Sequence, residues 1–353
     1  MPSVKFAKSN SYICFRVMRK FINIPVFIPE LACPHQCVFC DQKKISGRLN
    51  SPGLQEIREI IDTYLSSVEK ENTHIEIAFF GGNFTGINVE DQKIYLDLAQ
   101  DYINSGKVDG IRMSTRPDYI DKNKIDFLSN YSINTIELGA QSFDNDVLKK
   151  SGRGHTAENI VNASELIKDA GISLGLQMMT GLPGSRREKE VFTASRIVEL
   201  GADNTRIYPS LIISGTKLAR MYENGRYKPQ TLAEAVEVCS ELVNIFEQAS
   251  VKILKLGLHP SEGLLTGSDL VAGPFHPSFR ELVLSALWKN RFESIIGKHL
   301  SLNSVTIEVP EKEINYAVGY ESSNKKFLKE RFTSVLFKTN SQLTGRKFNV
   351  ICN

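Results

Sequence analysis

The chain has 353 residues, 41% of them hydrophobic and 24% charged, with a formal net charge of +3. This length and composition are ordinary for a soluble globular protein, and they allow a large core without help from metal or disulfides. The small positive charge permits a nucleic-acid partner but does not argue for one. The sequence shows no signal peptide and no apolar run near the ~20 residues of a membrane span. Its six cysteines do not form a disulfide framework, so we expect a protein of the reducing cytoplasm.

Short β-rich segments alternate with helical patterns from about residue 22 onward. Strands are predicted at 24–28, 75–80, 109–114, 134–139, 172–178 and 203–208, and helices near 54–70, 90–105, 121–130, 157–170 and 187–200. A further helix at 231–249 and strand at 251–257 follow. Six β–α units in series predict an α/β protein with a parallel sheet and right-handed crossovers, closed partly or fully into a barrel.

A turn-rich stretch at 259–277, with three glycines and three prolines, marks a predicted boundary. We therefore expect an N-terminal extension at 1–21, a core domain at 22–258 and a C-terminal extension at 259–353. The extension reads as mixed α/β, with strands near 303–309, 333–338 and 347–352.

Unusual residues follow the predicted strands. They include Gly81–Gly82 after the second strand, Arg116 after the third, Gln141 after the fourth and the sequence GLPG (181–184) after the fifth. Active sites of parallel α/β folds lie at the carboxyl ends of the strands. Glu137 stands in an otherwise apolar strand and needs a partner or a ligand, because a bare buried carboxylate is costly.

Three cysteines, Cys33, Cys37 and Cys40, lie within the eight residues CPHQCVFC after the first predicted strand. Three thiolates can hold a 4Fe–4S cluster and leave one iron without a protein ligand, open to a small molecule. The alternative is a zinc-stabilised binding module without catalysis, with His35 or a distant residue as the fourth ligand. Zinc sites usually show two separated ligand pairs, and no second pair exists here.

The CxxxCxxC motif, with Phe39 just before its third cysteine, resembles the radical S-adenosylmethionine (SAM) superfamily. The resemblance implies a partial TIM-type (β/α)6 barrel in which Cys33, Cys37 and Cys40 hold a 4Fe–4S cluster. SAM would bind the fourth iron, and one electron would cleave it to a 5′-deoxyadenosyl radical that abstracts hydrogen from the substrate. A reductase, or an electron donor of the flavodoxin or ferredoxin type, is the expected partner.

Five motifs in order narrow the resemblance to the Elongator catalytic subunit and its bacterial relatives, with the coproporphyrinogen oxidase branch more distant. They are STRPDYI, IELGAQS, SGRGHT, GLQMMTGLPG and RIYPSLIISGTKLARMYENGRYKP, spread over residues 114–229. The resemblance implies a set of cofactor-binding residues: Gly81, Gly82, Asn83, Arg116, Gln141 and Arg153. Many members of the superfamily have an acidic residue where this chain has Asn83, which supplies a carbonyl acceptor without the charge.

The Elongator subunit continues into an acetyltransferase domain, for which the residues after 258 are too few, so the expectation is the radical domain alone. RNA, specifically tRNA, is the favoured substrate by resemblance. The basic and aromatic residues of 206–229 and 325–332 also suit RNA, although each segment could equally be a solvated surface. The alternative is a radical SAM enzyme acting on a peptide or small molecule, like coproporphyrinogen oxidase.

Overall fold

The computed structural model describes residues 20–28, 37–41, 44, 51–258, 261–298 and 304–352. Most of the predicted N-terminal extension lies outside these residues, as does Cys33, the first cysteine of the motif. The two later cysteines of the motif, Cys37 and Cys40, are described.

The main strands lie close to the positions that the sequence predicts. In chain order they are β1 (Lys20–Phe27), β2 (Thr73–Phe80), β3 (Gly110–Thr115), β4 (Ile133–Gln141), β5 (Ser173–Thr180), β6 (Asn204–Pro209), β7 (Ile212–Ile213), β8 (Lys252–Leu256), β9 (Leu270–Ala272), β10 (Ser304–Val309), β11 (Ser334–Thr339) and β12 (Asn349–Cys352). The short β7 and β9 are not predicted, and they pair antiparallel with each other.

Helices fill the connections. They are α1 (Leu54–Ser66), α2 (Val89–Asn104), α3 (Lys122–Leu128), α4 (Asn145–Lys150), α5 (Ala157–Asp169), α6 (Arg187–Glu199), α7 (Lys217–Glu223), α8 (Leu232–Gln248), α9 (Glu262–Leu265), α10 (Phe279–Lys298), α11 (Ile314–Val318) and α12 (Ser323–Lys329). Capping boxes fix the N-termini of two helices: Thr156 with Asn159 caps α5, and Thr231 with Glu234 caps α8. No helix in the described part of the chain has both the length and the apolar character needed to cross a bilayer.

Seven strands form one parallel sheet in the order β1-β2-β3-β4-β5-β6-β8. The sheet is curled. Although β1 and β8 are its two edges, the Nζ of Lys252 on β8 lies 4.5 Å from the centre of the Phe21 ring on β1. The two edges therefore approach each other near the amino ends of the strands. The predicted α/β partial barrel is confirmed as a curled half-barrel.

The two faces of the sheet differ in chemistry. On β4, Ile136 and Leu138 are fully buried in the large apolar core under the helices, whereas Glu137 between them points to the concave face. The helix-covered face therefore supplies the main core, and the concave face is left for polar side chains and ligands.

Helix α10 joins two apolar clusters. Phe279 and Val283 pack in the main core, while Trp288 and Phe292 pack in a second cluster with the three-stranded sheet β11-β10-β12. The predicted strands of the C-terminal extension are present in this sheet. The division of the chain into domains near 259–277 stays a prediction.

Candidate active site

A cavity of about 830 Å³ opens on the concave face at the carboxyl ends of the strands. This volume lies within the range of small-molecule and cofactor sites. Most of the predicted site residues that the structure describes line it: Cys37, Cys40, Gly81, Gly82, Gln141 and Arg153. Residues far apart in sequence are thus brought together as their positions after successive strands predict.

The turn that carries Cys37 and Cys40 is held on both sides by backbone hydrogen bonds. The Cys40 N–H donates to the Cys37 carbonyl over 3.1 Å, which closes the turn. Between them, the Val38 N–H donates to the Ser151 carbonyl at 3.0 Å, and the Val38 carbonyl accepts from the Leu218 N–H at 2.7 Å. The position of the two thiols is therefore set by the loop before Arg153 and by the start of α7.

Arg153 connects the cysteine turn to strand β4. Its guanidinium donates through Nη1 to the Cys37 sulfur at 3.3 Å and through Nη2 to the Gly139 carbonyl at 2.6 Å. The Nε of Arg153 is buried and has no hydrogen-bond partner among the described residues. An arginine so placed can stabilise a thiolate and still offer a donor to a ligand carboxylate.

The two glycines after β2 adopt backbone conformations that side chains rarely accept, with φ of 133° at Gly81 and 102° at Gly82. A Cβ atom on Gly81 would lie 2.0 Å from the Ile28 carbonyl oxygen, a backbone atom that cannot swing away. The end of β2 therefore needs glycine so that it can pack against the end of β1 and keep its backbone open to the cavity.

Replacing Gly81 with alanine should lower the free energy of unfolding by about 3 kcal/mol or more, since an unfavourable φ and a backbone clash add together. Gly53→Ala is the matched control: Gly53 has φ −71° and nothing within 4 Å of the added Cβ. Urea denaturation of both variants measures the difference. Equal stabilities would show that the end of β2 is not constrained in this way.

Two predicted cofactor residues turn away from the cavity and are absent from its lining. The Oδ1 of Asn83 accepts from the Thr115 hydroxyl at 2.9 Å. The Arg116 guanidinium, 1% exposed, donates to both carboxylate oxygens of Asp118 and to the Arg153 carbonyl. The contact of Arg116 with the Arg153 carbonyl braces the loop that carries Arg153. Direct contact of Asn83 or Arg116 with the cofactor stays a prediction.

Gln141 lies at a bulge where β4 leaves its register with β5, and its φ of 66° is left-handed. Strained non-glycine residues of this kind concentrate at functional sites. Its Oε1 accepts from the Gln177 amide at 3.4 Å, and both side chains line the cavity. Gln177 was not singled out in the sequence, although its place in the predicted strand 172–178 would have allowed it.

Glu137 finds the partners that its sequence context requires. Its carboxylate accepts from Arg112 at 2.8 Å and from Arg206 at 2.5 and 3.0 Å, and Arg112 also donates to Glu76 at 2.8 Å. Burial alone would raise the pKa of Glu137, but the two guanidinium groups offset this and hold its pKa below the usual range. A ladder of alternating charges, Glu76–Arg112–Glu137–Arg206, thus crosses the concave face.

The basic and aromatic residues of 206–229 do not form one surface. The prediction that this whole segment contacts RNA is therefore corrected in part. Arg206 is bound to Glu137, and Tyr208 lines the cavity beside it. The Tyr227 hydroxyl donates to the Gly181 carbonyl at 2.5 Å. The basic residues that remain exposed are on or after α7: Lys217, Arg220, Arg226 and Lys228.

His155 lies behind the cavity and is not among its lining residues. Burial, together with the positive charges of Arg153 and Arg116, lowers the pKa of His155 to about 3. The imidazole is therefore neutral near pH 7, with its Nε2 3.3 Å from the Ala140 carbonyl. Its geometry indicates a packing role under the loop.

Comparison with known proteins supports the resemblance to radical SAM enzymes. The model of the radical SAM superfamily matches residues 28–197, and that of the radical SAM C-terminal domain matches residues 202–289. An uncharacterized protein of Methanocaldococcus jannaschii is 31% identical over 234 residues, covering 63% of this chain and 71% of that protein.

The tRNA uridine(34) acetyltransferase of Methanocaldococcus infernus is 28% identical over 260 residues, covering 62% of this chain and 48% of that protein. The chain thus spans about half the length of that curated relative. The solved structure of the archaeal Elp3 of M. infernus, with residues 1–46 deleted, superposes with a TM-score of 0.62 at 23% identity, covering 78% of this chain and 64% of that one. That likeness shows the same fold.

The family matches agree with the turn that carries Cys37 and Cys40, with the two glycines at the end of β2 and with the half-barrel. They confirm the resemblance that the sequence motifs indicate. The chain belongs to the radical SAM superfamily, whose enzymes act through a 4Fe–4S cluster and SAM.

Proposed function

We propose that this radical SAM enzyme modifies RNA, specifically tRNA, and that Cys33, Cys37 and Cys40 hold its cluster. The supporting observation is the convergence of Cys37, Cys40 and Arg153 with the glycine strand end on one cavity. The cavity residues fit the cofactors. Cys37 and Cys40 supply two thiols, and the unpartnered Nε of Arg153 offers a donor for the methionyl carboxylate. Gly81 and Gly82 leave backbone groups accessible to the amino group of SAM.

When bound and reduced, the cluster and SAM supply a carbon-centred radical that removes a hydrogen atom from the substrate. The chain orients the reactants and excludes solvent. Arg153 holds the Cys37 sulfur, and Gln141 with Gln177 presents amide groups to the cavity. Radical SAM enzymes need an electron donor, and we propose a reductase or a flavodoxin- or ferredoxin-type protein in the cytoplasm.

Two observations support tRNA. Relatives matched over about 60% of this chain are named tRNA uridine(34) acetyltransferases. In addition, exposed basic residues on and after α7 adjoin the cysteine turn, because the Leu218 N–H of α7 donates to Val38. Lys217, Arg220, Arg226 and Lys228 form no ion pair with the described acidic residues, which leaves them available to phosphates.

The test is anaerobic turnover of the reconstituted full chain with reductant, SAM and deuterated tRNA. We expect 5′-deoxyadenosine to form and to carry deuterium from the tRNA. Unlabelled 5′-deoxyadenosine would reject tRNA and favour a peptide or small molecule. Absence of 5′-deoxyadenosine from protein with a complete cluster would count against radical chemistry altogether.

A further inference from the structure

The two open edges of the half-barrel carry opposite charges at the cavity. On the β1 side, helix α1 contributes Glu56 and Glu59 to the lining, and we call these two residues the acidic rim. On the β8 side the lining contains Lys255 and Leu258. A substrate that enters between the edges therefore meets negative charge on one side and positive charge on the other.

Lys255 reaches the cavity because β8 is irregular. Lys252 pairs with Asn204 and Ile253 with Thr205, but Arg206 pairs with Lys255, so that Leu254 is an extra residue. In a regular strand, residues three apart point to opposite faces. The bulge turns Lys255 to the same face as Arg206, and bulges near active sites commonly redirect a side chain in this way.

Of the cations in the described cavity lining, Lys255 alone makes no hydrogen bond or ion pair with the described residues. Arg206 is neutralised by Glu137, and Arg153 is bound to Cys37 and the Gly139 carbonyl. No described acidic side chain forms an ion pair with Lys255, which is partly buried at the cavity edge. A partly buried ammonium group beside an arginine, without a counter-ion, attracts an anion.

The geometry points to a phosphate subsite at Lys255, which binds a phosphate group of the substrate, while the acidic rim repels that group from the opposite side. This inference rests on the proposed function, and it assigns the orientation of the substrate. In an RNA substrate the phosphodiester backbone would run along the β8 edge, and the reacting nucleotide would enter the cavity past Tyr208. The same chemistry could serve a small phosphate ester.

Affinity of the reconstituted full chain for a tRNA transcript, measured against salt, tests the subsite. Lys255→Gln is expected to reduce the slope of log affinity on log salt by about 0.7 to 1, the loss of one phosphate contact. Lys255→Arg should retain the slope. Lys252→Gln is the matched control, since Lys252 is on the same strand but lies over the Phe21 ring and outside the cavity. Its slope should equal that of the wild type.

A slope for Lys255→Gln equal to that of the wild type would overturn the subsite while leaving the RNA function intact. Should the wild type bind no tRNA, the RNA function fails and a nucleoside 5′-monophosphate becomes the probe. Binding of the monophosphate that is lost in Lys255→Gln but kept in Lys252→Gln would then assign the subsite to a small phosphate ester. Binding that is absent, or unchanged by Lys255→Gln, would overturn it.

Discussion

Replacing Cys37 or Cys40 with alanine is expected to abolish the 4Fe–4S cluster and, with it, the cleavage of SAM. Two thiolates leave two irons of the cube without protein ligands, and such a cluster does not survive reconstitution and desalting. Iron and sulfide contents, the visible absorbance of the anaerobic protein and the yield of 5′-deoxyadenosine measure the effect. Each should fall to the level of the protein before reconstitution.

Cys239→Ala is the matched control, because Cys239 is fully buried on α8 and is absent from the cavity lining. Burial raises the pKa of the Cys239 thiol, which keeps it protonated and unavailable to metal. We expect this variant to retain a full cluster. A wild type that instead held one colourless zinc ion, lost in Cys40→Ala, would support the zinc-binding alternative.

The strands and helices of the half-barrel could be predicted because their signals are local. Apolar runs, glycine and proline turns, and capping residues such as Thr231 with Glu234 act within a few positions. Short elements were missed for the same reason: α4 has six residues, too few to show a helical period. The order of unusual residues after successive strands predicted that Cys37, Gly81 and Gln141 would meet at one edge of the sheet, whereas the assignment of Arg153 to the site came from the family resemblance.

The rest of the site depends on contacts between distant residues. Arg206 reads as part of a basic segment, yet it pairs with Glu137, 69 positions away. The bulges at Ala140 and Leu254, which redirect Gln141 and Lys255, are set by register with neighbouring strands. A single sequence carries no local sign of such pairings, so the charge ladder and the position of Lys255 emerge only in three dimensions.

Replacing Glu137 with glutamine should destabilise the fold by about 3–5 kcal/mol, the usual cost of removing one partner of a buried ion pair. The substitution keeps the shape of the side chain but removes the charge between Arg112 and Arg206. Glu137 is 3% exposed, so water compensates little for the lost carboxylate. Arg112 would then keep its ion pair with Glu76, whereas Arg206 would lose the carboxylate that it binds. Urea denaturation, with the slope checked for two-state behaviour, measures the loss.

Glu199→Gln supplies the comparison, because Glu199 also pairs with an arginine, Arg196, but on the surface of α6. A pair of this kind contributes about 0–1 kcal/mol, and the variant should unfold close to the wild type. The double variant Glu137→Gln/Arg206→Met separates the effect of charge from that of packing. Arg206→Met should lower the free energy of unfolding far less in the Glu137→Gln background than in the wild type, because the guanidinium has already lost its carboxylate partner. Additive losses would mean that Glu137 and Arg206 stabilise the barrel independently, and that the alternating charges do not act as a unit.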